Sequence, residues 1–169
     1  MKIHFAVLCA LSLLFPVAAH AKSTDRNEPM NIDAGAQSGT LTGDGKTTLS
    51  GGVIITQGSL DLRSASAEIQ IKDSEPVRAI FTGKQAKMRQ QMDDGSWMDA
   101  TADRIDYDIT GEIITLTGNY KVTSARGTNA GQRMVYNTRS GEMNSGGDGT
   151  RVRTVIQPKN KAPAAGSSK

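Results

Sequence analysis

Apolar and polar side chains alternate with a period of two along much of this chain, the spacing of strands that bury one face. In the clearest run Leu49, Gly51, Val53 and Ile55 alternate with Ser50, Gly52, Ile54 and Thr56. Gln57-Gly58 then turns the chain, and Leu60 and Leu62 alternate with Asp61 and Arg63. Ala65, Ala67, Ile69 and Ile71 keep the period up to Lys72-Asp73-Ser74-Glu75-Pro76. Upstream, Pro29 opens Met30-Asn31-Ile32-Asp33 as a first strand, where its missing amide hydrogen does least harm, and the Gly/Thr/Ser-rich stretch 35–45 predicts turns and weak strands. Downstream, Arg151 to Gln157 predicts a last strand ended by Pro158. Lys84 to Met92 pulls the other way, being made of good helix formers with Met88 and Met92 four apart. Ala86, Met88, Gln90 and Met92 also alternate, and Asp93-Asp94-Gly95 offers a hairpin turn, so sheet neighbours are expected to impose a strand.

The alternation is also repeated. Arg104-Ile105-Asp106-Tyr107-Asp108-Ile109-Thr110-Gly111-Glu112-Ile113 nearly coincides with Arg133-Met134-Val135-Tyr136-Asn137-Thr138-Arg139-Ser140-Gly141-Glu142-Met143, each reading as strand, glycine turn and strand. Leu49 to Thr56 likewise matches Leu116 to Thr123, with a shorter echo in Phe81-Thr82-Gly83. One hairpin cannot bury its apolar face alone, so such units must stack on a shared core. The expectation is an all-β fold of short antiparallel strands with repeated hairpin units.

Composition narrows the function. Lys2, the apolar run from Phe5 to Phe15 and Ala19-His20-Ala21 make residues 1–21 a predicted signal peptide, too short in its apolar part for the roughly 20 residues of a membrane span. Residues 22–28 read as a flexible leader and 159–169 as a disordered tail, leaving 29–158 as one domain. Cleavage after Ala21 would remove Cys9, His4 and His20, and with them thiolate nucleophiles, Ser/His/Asp triads and imidazole metal sites. Nothing pairs two carboxylates for acid–base work, so neither an enzyme nor a cofactor is expected. The net charge is +3, but after Asp148 every charge is basic: Arg151, Arg153, Lys159, Lys161 and Lys169. Such an end suits anionic headgroups, another protein's acidic end, or simple solubility. Few aromatics and no basic stripe leave nucleic acid without a binding surface. Gly146-Gly147-Asp148-Gly149 has the look of one calcium β-roll turn, yet such sites need tandem copies, so a plain turn is expected. Trp97 reads as a packing residue beside a turn, and Asp106 and Asp108 as solvent-side neighbours of Tyr107.

Four segments carry a resemblance. Pro29-Met30-Asn31-Ile32, Gly51-Gly52-Val53-Ile54-Ile55-Thr56-Gln57-Gly58, Leu116-Thr117-Gly118-Asn119 and Val152-Arg153-Thr154-Val155-Ile156-Gln157-Pro158 together resemble the OstA-like family of periplasmic lipopolysaccharide-transport proteins. The resemblance implies an open, twisted β-jellyroll in the periplasm whose two facing sheets form a groove for the acyl chains of lipid A. It also implies end-to-end stacking with an inner-membrane-anchored partner, with further copies of the chain as a head-to-tail homo-oligomer, and with the outer-membrane translocon. The inward positions are then Met30, Ile32, Val53, Ile55, Leu60, Leu62, Ile69, Ile71, Met88, Ile105, Tyr107, Ile109, Ile114, Leu116, Met134 and Tyr136. Alternation alone leaves open whether these pack into a dry core or line a lipid groove. Arg63, Lys72, Arg89 and Arg133 either meet lipid phosphates at the rim or form solvated strand faces. Two other readings stand beside the carrier. One is an envelope assembly module that binds protein edges without lipid, and the other is a carbohydrate-active β-solenoid, which needs clustered acids and aromatic platforms on one face.

Overall fold

The computed structural model describes residues 23–147 and 149–158, so the predicted signal peptide, the tail and Asp148 lie outside the described residues. Within them nine strands form one antiparallel sheet: β1 (Asn31–Gly39), β2 (Gly45–Gln57), β3 (Leu60–Lys72), β4 (Glu75–Gln91), β5 (Trp97–Asp108), β6 (Ile113–Ser124), β7 (Gly127–Asn137), β8 (Met143–Ser145) and β9 (Arg153–Ile156). Strands β1 to β8 follow each other in chain order, and β9 pairs with β7 alongside β8. The segment of helix formers lies within β4, where Met88 pairs with Leu62 on one side and Ala100 on the other. Two ladders of backbone hydrogen bonds outweigh the modest helix preference of Lys, Gln and Met.

Strands β2 to β7 each continue through a shift in pairing register. Pairing registers shift between Ala34 and Ala36, Ser50 and Val53, Arg63 and Ser66, Thr82 and Ala86, Thr101 and Arg104, and Thr117 and Tyr120. These sites are neighbours across the sheet, so they form a line of bulges that bends every strand at the same level. The repeated Leu/Phe-Ser/Thr-Gly phrases sit on that line. Gly51 is therefore not an inward residue: Gly51 and Gly52, with φ of 78° and 87°, are the bulge itself. Ala65 is exposed for the same reason, since β3 changes phase beside it.

A polar seam accompanies the bend. The Asn119 side-chain amide donates to Asp103 Oδ2 at 2.9 Å, Gln132 Nε2 donates to Asn119 Oδ1 at 3.1 Å, and the Ser66 and Thr82 hydroxyls meet at 2.8 Å. The bend divides the sheet into two halves. Gly45–Ser50, Ser66–Ile71, Pro76–Thr82, Arg104–Asp108, Ile113–Thr117 and Arg133–Asn137 build the first, finished by β8. The other ends of the same strands build the second, finished by β9. Ile114, Leu116 and Tyr136 of the first half line the same narrow space as Met88, Ala100 and Val122 of the second. One sheet thus supplies both layers of the jellyroll.

At the start of the chain, the predicted leader is not structureless: Ser23–Asn27 forms a short 3-10 helix. Its Asp25 is buried and accepts a hydrogen bond from the Ser59 hydroxyl, while Gln57 Nε2 donates to the Glu28 carbonyl at 3.0 Å. A polar run with no apolar period folds here because the β2–β3 turn supplies its partners, which local pattern cannot reveal.

Candidate functional site

Pairing registers assemble the apolar side chains into ladders that cross the strands. In the second half one ladder runs Ile32, Ile55, Leu62, Met88, Ala100 and Val122, and turns polar at Asn129 and Thr154. In the first half, Leu49, Ala67, Phe81, Ile105, Leu116 and Met134 form a second ladder, with Ile69, Ala79, Tyr107, Ile114 and Tyr136 as a third beside it. Tyr107 and Tyr136 do share one face, separated by Ile114.

Of the expected inward positions, Val53, Ile55, Leu62, Ile69, Ile71, Met88, Ile105, Ile114, Leu116, Met134 and Tyr136 are buried, and Ile32, Leu60, Tyr107 and Ile109 are partly buried against the same cluster. Met30 is not inward. It precedes the first rung, Asn31 with Thr56, and is exposed.

The inward set also contains residues beyond those expected: Leu49, Phe81, Tyr120, Val122, Met92, Met98 and the small Ala67, Ala79, Ala86, Ala100 and Ala102. Leu49, Phe81 and Leu116 hold the same place before a Ser/Thr-Gly pair, so aligning the three phrases is the signal that finds the first two. Tyr120 lies just beyond the Gly118-Asn119 bulge and stays in phase with Ile114, Leu116 and Val122, so carrying the count of two through Gly118 is the signal that finds it. Its hydroxyl donates to Asn129 Oδ1 at 2.6 Å, and the Asn129 amide donates to Thr154 on β9 at 2.9 Å.

Met88, Met98, Met134 and Met143 line the space between the halves together with Ala100, Ile114, Leu116, Val122 and Tyr136. This cavity measures about 10 Å³. Unbranched thioether side chains repack at low cost, so such a lining can part around a guest without a fixed pocket.

Charge lies on the opposite face. Arg63 pairs with Asp61 at 2.8 Å, Lys46 with Glu68 at 2.9 Å and Arg89 with Asp99 at 3.7 Å. Trp97, expected to pack beside its turn, is instead exposed, with the Arg89 guanidinium 4.5 Å over its ring. Arg63, Lys72, Arg89 and Arg133 are all exposed, and Arg63, Arg89 and Arg133 adjoin inward residues in sequence, so a period of two turns them away from the apolar space. Asp106 is the most constrained carboxylate of this face. Arg78 donates to both its oxygens at 2.8 Å and Arg104 adds a longer contact, which holds its pKa below the ordinary Asp value. Stabilisation from this group is complete above the unfolded-state pKa of about 4 and is lost as pH falls through the lower folded-state value. Melting curves from about pH 6 down to about pH 2 should therefore show a smaller acid loss for Asp106→Asn than for the parent; parallel curves would remove Asp106 from the acid response.

Among the described residues no group of three or more Asp, Glu, His or Cys side chains is placed to hold a metal. Residues 31–142 match the family model described as LptA/(LptD N-terminal domain) LPS transport protein. This chain belongs to that family. The LptA-type match extends over most of its length. The lipopolysaccharide export system protein LptA of Escherichia coli K12 is 26% identical over 155 residues, covering 90% of this chain and 83% of that protein. Its counterpart in Haemophilus influenzae is 29% identical over 163 residues, covering 93% of each. The crystal structure of LptH, described as the LptA-homologous periplasmic component of the lipopolysaccharide transport device of Pseudomonas aeruginosa, superposes with a TM-score of 0.71 at 26% identity. It covers 80% of this chain and 99% of LptH. The chain is thus an LptA-type protein of lipopolysaccharide transport, with the all-β architecture of that family.

Proposed function

We propose that this protein works in the periplasm, holds the acyl chains of lipid A between its two half-sheets, and hands lipopolysaccharide from an inner-membrane-anchored partner towards the outer-membrane translocon. The observation that carries this reading is the pair of facing apolar ladders with a methionine-rich space between them, in a chain of the LptA family. Burying one methylene is worth about 0.8 kcal/mol, so an acyl chain of roughly a dozen carbons represents on the order of 10 kcal/mol. A lipid with several chains cannot leave through water at a useful rate, and a continuous apolar path removes that barrier. Edge pairing would extend the path from one copy to the next. The outer edges of β1 and of β8 and β9 have no strand partner among the described residues, and Ile156 on β9 is 79% exposed. Transfer needs no catalytic group in this chain.

A photo-crosslinking residue at Ile55 or Tyr107 should form a light-dependent adduct with lipopolysaccharide in cells, while the outward positions Ile54 and Lys87 should not. Equal adducts on both faces, or none on either, would end the groove reading. The small volume of the cavity favours one competitor, an assembly module with a dry core that binds only protein edges. That module would form concentration-dependent oligomers with no lipid adduct at Ile55 or Tyr107.

A further inference from the structure

The Tyr136 hydroxyl is buried and has no hydrogen-bond partner. The side chain is 7% exposed and lines the apolar space beside Met134, Met143 and Ile114. Tyr120, in the same core, shows the usual arrangement, its hydroxyl satisfied by Asn129. A buried hydroxyl without a partner costs free energy, and phenylalanine would fill the same volume without that cost. A plain hydrocarbon guest would leave the hydroxyl as it is. A guest whose chain carries an oxygen would complete it. Burial raises the pKa of Tyr136 above its ordinary value, so the phenol remains a proton donor throughout the physiological range.

We infer that Tyr136 is a specificity-determining residue for acyl chains that carry a hydroxyl or ester oxygen, which accepts the Tyr136 hydrogen bond inside the otherwise apolar space. This rests on the carrier reading above and adds to it the kind of chain preferred. The methionines around the tyrosine supply the room, since the cavity itself is too small for a chain until they move. Polarity inside an apolar site discriminates well, because the wrong guest leaves a buried polar group unpaired.

The test measures displacement of a fluorescent lipid from the full chain by 3-hydroxytetradecanoic acid and by tetradecanoic acid, for the parent and for Tyr136→Phe. The parent should bind the hydroxylated chain about 3- to 10-fold more tightly, the size of one net hydrogen bond. Tyr136→Phe should bind both chains alike, keep or improve its affinity for tetradecanoic acid, and melt at the same or a higher temperature. A parent without preference, or a variant that keeps it, overturns the inference and leaves the carrier reading standing. If the parent binds neither these chains nor lipopolysaccharide, the carrier reading falls and takes the inference with it.

Discussion

Phe81→Ala is expected to lower the unfolding free energy by about 3–5 kcal/mol, the range for removing a buried phenylalanine. Phe81 is 2% exposed and stands mid-ladder between Ala67 and Ile105. Two of its neighbours on that face, Ala67 opposite it on β3 and Ala79 two residues earlier on β4, are alanines, which have no length with which to fill the void. Domains of this size are stable by roughly 5–15 kcal/mol, so this one change takes a large share of the total. Urea denaturation followed by far-UV circular dichroism measures it, with Phe81→Leu as a milder companion. A loss below about 1 kcal/mol would mean that the half-sheets close over the missing ring, and would contradict the packed arrangement of the ladders.

Gly118→Ala is the second large effect, and it acts through the bend. Gly118 has a φ of 78°, and a Cβ there would lie 2.5 Å from Asp103 Oδ2 and 2.8 Å from Asp103 Cβ. The backbone term alone is about 1–3 kcal/mol. Moving Asp103 also breaks its 2.9 Å bond from Asn119, adding about 1 kcal/mol. Gly95→Ala separates the two terms, because Gly95 has a φ of 79° but nothing within 4 Å of the added carbon. Gly118→Ala should therefore unfold at clearly lower denaturant than Gly95→Ala. Equal midpoints would show that the bulge yields freely and does not hold the two half-sheets in place.

Legibility differed by residue for a physical reason. Ile69 and Ile71, or Ile105 and Tyr107, lie within uninterrupted stretches of alternation, so their common face follows from the geometry of an extended chain. Phe81 precedes a bulge beyond which the buried positions of β4 change from odd to even numbers, so its face is secure only once that bulge is located. Leu49 and Tyr120 keep the count of two through the bulges of β2 and β6, but a glycine occupies the intervening position and hides it. Met30 fails for the opposite reason: its pattern is right, but pairing stops one residue later. The Asp25 turn depends on Ser59, 34 positions away, and no local rule anticipates it.

Antiparallel hairpins are written into the chain locally, because a period of two, glycine turns and repeated phrases are properties of a few consecutive residues. Phrases spread from residue 29 to 158 also carry the family resemblance, and the family model matches residues 31–142. That the strands are long and bent, that their bulges align into one line, and that the two halves of the sheet face each other across a methionine-lined space emerges only on folding. Those are properties of register between strands, and register depends on which residue stands opposite which, information that no single stretch of chain contains. The unpaired hydroxyl of Tyr136 belongs to the same class: its face is written in the alternation, while its lack of a partner is decided by everything packed around it.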